Sequence, residues 1–135
     1  MKYYPIILLL LLVFAAGCSK QVGAGGTVVF SDDGTPVPYG SVIFSTPTFQ
    51  SRSNINGQGR FTMGSYGVAD GLPPGTYKVM IHVVDDSDAD NPYNLLDARY
   101  TNKDTSGLEI TVDKTVKNLE FRVDRNPKPK PKPKK

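Results

Sequence analysis

The sequence predicts an all-β protein, a single antiparallel β-sandwich of about seven strands, and three observations predict it. From Thr27 onward, short runs alternate apolar and polar residues, the period-two signature of half-buried strands. Turn-forming clusters separate the runs, as in Ser31-Asp32-Asp33-Gly34 and Asn56-Gly57-Gln58-Gly59. After the leader, no stretch carries the apolar period of about 3.6 residues over helix length.

The elements follow in order. Val28 and Phe30 alternate in a first strand. Pro36 and Pro38 place the next residues on a loop or an edge. Val42 and Phe44 alternate with Ser41, Ile43 and Ser45 in a second strand, and Ser51 to Asn54 form a brief third. Phe61 and Met63 mark a strand after the Asn56 turn. The loop Asp70-Gly71-Leu72-Pro73-Pro74-Gly75 follows, with Gly75 turning the chain after two prolines have fixed φ. Tyr77, Val79, Ile81 and Val83 make the clearest strand, with Lys78, Met80, His82 and Val84 on its other face. Leu108, Ile110 and Val112 form the next, and Leu119, Phe121 and Val123 the last. The expected core is Phe44, Phe61, Tyr77, Val79, Ile81, Val83, Leu119 and Phe121. Tyr77 buries its ring there and keeps its hydroxyl within reach of a backbone partner.

Before the domain, Lys2 precedes the eleven-residue apolar run Ile6 to Ala16. A helix needs about 20 apolar residues to cross a bilayer, so this run is too short and reads as a signal peptide. It ends in Ala15-Ala16-Gly17-Cys18. That ending resembles the bacterial lipobox, whose cysteine thiol takes a diacylglycerol; Ala15 stands where Leu is most common. Cys18 is the sole cysteine, so it has no internal disulfide partner. The expected organisation is residues 1–17 signal peptide, 18–26 lipidated Cys18 and linker, 27–125 sandwich, and 126–135 a disordered Pro/Lys tail. Acyl chains on Cys18 imply an extracytoplasmic, lipid-anchored protein of the cell envelope. Ser19 after the cysteine favours the outer over the inner membrane.

Charge excludes one class of partner. The net charge is +3, but five of the 16 basic residues lie between Lys128 and Lys135 and one is Lys2, which leaves ten against 13 acidic residues between Cys18 and Pro127. A nucleic-acid binder carries its basic face on the domain itself, so none is expected here.

Several segments resemble one family. Gly26-Thr27-Val28, Asp33-Gly34-Thr35-Pro36-Val37 and Gly40-Ser41-Val42-Ile43-Phe44 resemble the opening of carboxypeptidase-regulatory-like, transthyretin-like modules. Asn56-Gly57-Gln58-Gly59-Arg60-Phe61 resembles their hairpin, and Leu72-Pro73-Pro74-Gly75-Thr76-Tyr77-Lys78-Val79 their best local signature. Tyr100 to Leu108 looks like part of small planctomycete-type lipoproteins. The resemblance implies an Ig-like (transthyretin/prealbumin-like) sandwich. It does not imply the hydroxyisourate hydrolase activity of one branch, which needs several His residues and a Tyr-Arg-Gly-Ser ending; this chain has one His.

Candidate chemistry is sparse. His82 has no partners at the spacing of a triad or a metal site. Asp86, Asp88, Asp90 and Asp97 fall at positions 1, 3, 5 and 12 of a calcium-loop spacing, but Asn91 replaces the glycine, Asp97 the longer glutamate, and Pro92 stiffens the middle. Calcium is therefore the one cofactor to test, against a plain acidic loop. In the tail, alternating proline predicts polyproline II, about 3.1 Å per residue, carrying Lys128, Lys130, Lys132, Lys134 and Lys135. Such a rod suits anionic envelope polymers or lipid head groups. No Trp is present and the tyrosines form no platform, which argues against sugar stacking. The expected function is a non-catalytic structural or protein-interaction module at the envelope; the alternative is a binder of calcium or anionic polymer. Pro36 and Pro38 blunt an edge strand, which points to a monomer.

Overall fold

The structure, a computed structural model, describes residues 21–64, 71–90, 92–129 and 132. Within them nine strands follow one another. They are β1 Ala24–Phe30, β2 Gly40–Ser45, β3 Gln50–Ile55, β4 Arg60–Thr62, β5 Gly75–His82, β6 Val84–Asp85, β7 Tyr93–Asn94, β8 Glu109–Val112 and β9 Val116–Val123. A 3₁₀ turn, Ala98–Thr101, precedes β8. Seven strands build two sheets, ordered β4-β1-β9 and β3-β2-β5-β8, and β6 pairs with β7 as a separate ribbon.

The alternation does what the sequence predicts: each sheet turns one apolar face inward. Val28, Phe30, Phe61, Phe121 and Val123 of the first sheet pack in one cluster with Val42, Phe44, Tyr77, Val79 and Ile81 of the second. Phe44 joins the layers. Its ring centroid lies 6.3 Å from Phe61 and 6.2 Å from Phe121 across the sandwich, both edge-on, and 5.7 Å from Tyr77 beside it. Burying one such ring stabilises the fold by about 1.5–3 kcal/mol. Tyr77 is 1 % exposed, and its hydroxyl donates to the Pro73 carbonyl four residues back. Burial pushes its pKa up.

Four expectations are corrected. The first sheet is mixed rather than antiparallel: β1 runs antiparallel to β4 but parallel to β9, with Gly26 opposite Leu119 and Phe30 opposite Val123. Next, residues 22–26 of the supposed linker are part of the fold. Val22 and Leu72 exchange backbone hydrogen bonds of 2.9 and 2.7 Å, and β1 has begun by Ala24. Gly26 is there for closeness, because a Cβ on it would stand 2.0 Å from the Leu119 carbonyl oxygen. Third, the left-handed glycine before β5 is Gly71, at φ 93°, and Gly75 simply opens the strand. Finally, Leu119 is only half-buried at the rim of the core. It sits at a β-bulge, where Ala24 faces Val116 but Gly26 faces Leu119, at the outer end of the inward row that Phe121 and Val123 continue.

The parallel pairing gives the sandwich two distinct poles. At the entry pole lie Gly23, Leu72 and Thr115; Gly23 accepts a 2.9 Å hydrogen bond from Val116 N–H through its carbonyl. Seven residues of β1 then climb about 20 Å to the exit pole, where Ser31 N–H donates to the Val123 carbonyl at 2.9 Å.

Candidate functional site

Polar side chains gather at the exit pole. The turn after β1 is local chemistry: Gly34 takes φ 72°, Phe30 N–H donates to the Thr35 carbonyl at 2.8 Å, and Asp33 accepts from Thr35 N–H and Oγ1 at 3.0 and 2.7 Å. Those two bonds, the backbone one foremost, hold the Asp33 carboxyl below its ordinary pKa, with Arg125 adding to the effect.

Beyond β9 the chain stays paired. Asp97 N–H donates to the Asp124 carbonyl at 3.0 Å and Asn126 N–H to the Leu95 carbonyl at 2.8 Å. This alignment puts two arginines into the pole. Arg125 donates to Asp32 at 2.8 Å and to Asp33 at 3.2 Å, and its guanidinium lies 3.6 Å over the Phe30 ring. Arg99 donates to the Tyr100 hydroxyl at 2.7 Å and to the Asp124 carboxylate, and its guanidinium sits 4.8 Å from the Tyr100 centroid. Asp124 also accepts from the Ser31 hydroxyl, while its own N–H donates to the Tyr100 oxygen at 3.0 Å. The Ser31 hydroxyl, then the Arg99 charge, hold Asp124 below its ordinary pKa; the bond to Tyr100 raises that of Arg99.

Each arginine here is already engaged by carboxylate, so the cluster is a clasp and not an open anion site. It ties the 31–35 turn, the 3₁₀ turn and the residues after β9 into one body. These groups are about half exposed, and exposed ion pairs contribute little individually. Their value lies in fixing where the chain leaves the sandwich.

The acidic loop adjoins this pole, since Asp85 pairs with Tyr93, whose hydroxyl donates to the Lys128 carbonyl. Asp97 is used as the cap of the 3₁₀ turn, accepting from Arg99 N–H at 3.0 Å. Asp88 accepts from Asp90 N–H at 3.1 Å. Among the described residues no three His, Cys, Asp or Glu come together where they would hold a metal ion. The calcium candidates Asp86, Asp88, Asp90 and Asp97 are thus not brought together as a metal-holding group among the described residues, although their sequence spacing suits one.

The start of the tail is also more ordered than expected. Asn126 donates to the Asn94 carbonyl at 2.8 Å, Lys128 N–H donates to Asn126 Oδ1 at 3.0 Å, and the Tyr93 hydroxyl donates to the Lys128 carbonyl at 2.6 Å. Lys128 and Lys132 are exposed. Cys18, Lys130, Lys134 and Lys135 lie outside the described residues. His82 ends β5 on its outer side, half-buried, with a covered Nε2 that has no hydrogen-bond partner.

No family model, no curated protein and no solved structure matches this chain. The surface must be read from its own chemistry. One groove, about 560 Å³, runs along the β8–β9 turn between Ile110 and Leu119 and is edged by Asp113, Lys114 and Lys117. Another, about 410 Å³, crosses Gly23 to Gly26 beside Arg60, Thr62 and Lys117. Neither lining contains His or Cys. The Arg99, Tyr100, Asp124 and Arg125 clasp was invisible in the sequence, since its members are separated along the chain and follow no motif.

Proposed function

We propose that the chain is a lipid-anchored, extracytoplasmic module of the cell envelope, transthyretin-like in kind, which serves as a structural or protein-interaction element and not as an enzyme. One observation carries this reading: Cys18, the sole cysteine, closes a lipobox-like ending only four residues before Val22, where sandwich pairing begins. Four extended residues reach at most about 14 Å, so an acylated Cys18 holds the entry pole against the bilayer. Lys114 and Lys117 lie on that pole, a suitable face for anionic head groups. The non-catalytic part of the reading rests on the single His and on polar side chains that are spent in a clasp.

Growth of the producing cells with an alkyne fatty acid tests the anchor. Label is expected on the wild-type chain in the membrane fraction, and the Cys18→Ser variant is expected unlabelled and released. An unlabelled wild-type chain, or a variant that stays membrane-bound, contradicts the proposal. In-cell cross-linking then tests the interaction role, with one dominant protein partner as the supporting result.

A further inference from the structure

We propose that the outer edge of β9 is a docking site for an extended segment of a partner protein, which adds a strand antiparallel to β9 and carries the pattern acidic-apolar-basic-apolar. The inference rests on the interaction half of the reading above and not on the anchor.

Backbone chemistry defines the edge. β9 is the last strand of its sheet and, among the described residues, pairs as a strand with β1 alone. The Val123 carbonyl accepts from Ser31 N–H at 2.9 Å on the β1 side. One residue on, Asp124 points the other way: its carbonyl accepts from Asp97 N–H at 3.0 Å, and its N–H donates to the Tyr100 hydroxyl at 3.0 Å. Successive residues of a strand alternate in this way, so Arg122 and Glu120 also turn N–H and C=O outward. Among the described residues, none bonds these outward groups. The chain's own segment 95–97 already covers the edge at 124–126, with Leu96 opposite Arg125 in antiparallel sense. Below it the edge is open to a second strand of the same sense.

Side chains define which strand fits. Beside this edge the core is incompletely covered: Leu108, Ile110, Val116 and Leu119 are half-buried against it, and the groove between β8 and β9 runs over Ile110 and Leu119. Inward apolar residues of an added strand close that groove. On the solvent face Glu120 and Arg122 are exposed and pair with each other at 2.8 Å. An antiparallel strand sets one side chain directly opposite each. An acidic residue then faces Arg122, and a basic one two positions later faces Glu120. Main-chain bonds supply affinity in such strand addition, and the alternate side chains supply specificity.

The test uses the isotope-labelled full chain in detergent micelles and a synthetic peptide, acetyl-Thr-Asp-Val-Lys-Val-Thr-amide, with binding read from amide NMR shifts. A second peptide has its Asp and Lys exchanged. The Glu120 and Arg122 amides are expected to shift, and the first peptide to bind about tenfold more tightly than the second. Combining Glu120→Arg with Arg122→Glu keeps the ion pair within β9 and should reverse that preference. Glu120→Pro removes an outward N–H without touching the β1 ladder and should abolish binding of both peptides. No shift at Glu120 and Arg122, or a preference that ignores the charge exchange, overturns the proposal. Self-association that Glu120→Pro abolishes overturns it too, since a second copy would then occupy the edge. A partner cross-linked in cells only from another face would overturn the edge site while leaving the interaction role intact.

Discussion

The two poles of this sandwich are held by different means. At the entry pole the backbone does the holding: Gly26 lets β9 approach so closely that no side chain fits between, and Val22 pairs with Leu72. At the exit pole side chains do it, through arginines stacked on Phe30 and Tyr100 and paired to Asp32, Asp33 and Asp124. The contrast suits the proposed anchor at the entry pole. The entry pole should therefore be sensitive to volume and indifferent to pH, and the exit pole the reverse.

The strongest challenge is Gly26→Val. With a Cβ 2.0 Å from the Leu119 carbonyl, β1 and β9 cannot keep their register, and the expected loss is about 3 kcal/mol or more in urea unfolding. A variant as stable as wild type would remove the basis for the entry pole. Tyr77→Phe comes next. It leaves the ring in the core but orphans the Pro73 carbonyl, and about 1–2 kcal/mol is expected by the same measurement.

Asp124→Asn acts on the other pole, and its effect lies in pH dependence. The folded carboxyl is held below its ordinary pKa, by Ser31 foremost. It therefore contributes stability above the ordinary value, near about pH 4, and that contribution disappears as pH falls through the lower folded value. Thermal scans should show the wild type losing stability below about pH 4 and the variant losing less. An identical acid limb in both would mean the clasp does not stabilise the fold. The smallest effect is expected from calcium. Because Asp86, Asp88, Asp90 and Asp97 do not converge, neither Ca²⁺ nor EDTA should move Tm; a clear rise with Ca²⁺ would revive the loop as a site.

Much of the fold was legible because period-two alternation reports which face of a strand is buried, as at Tyr77, Val79 and Ile81. The same pattern is blind to strand direction, so the parallel course of β9 could not be read from Leu119, Phe121 and Val123. Glycine was ambiguous for a related reason. Gly23, Gly25 and Gly26 have the composition of a flexible linker, and only the carbonyls they abut identify Gly25 and Gly26 as close-packed strand. Likewise the calcium-like spacing was visible at Asp86, whereas the backbone bond that occupies Asp97 was not. The clasp needed the third dimension altogether, since Asp32 and Arg125 meet only once β1 and β9 lie side by side.

The central claim is that the start of β1 and the end of β9 form opposite poles, with the proposed anchor at the first, and contact quenching tests it most directly. Cys18 is the sole cysteine, so once it is acylated a fluorophore can be placed on one introduced thiol, either Thr115→Cys or Lys128→Cys. The chain is then reconstituted with a head-group-labelled quencher lipid. A probe at position 115 should be quenched and one at position 128 should not; quenching at 128 equal to that at 115 would contradict the account.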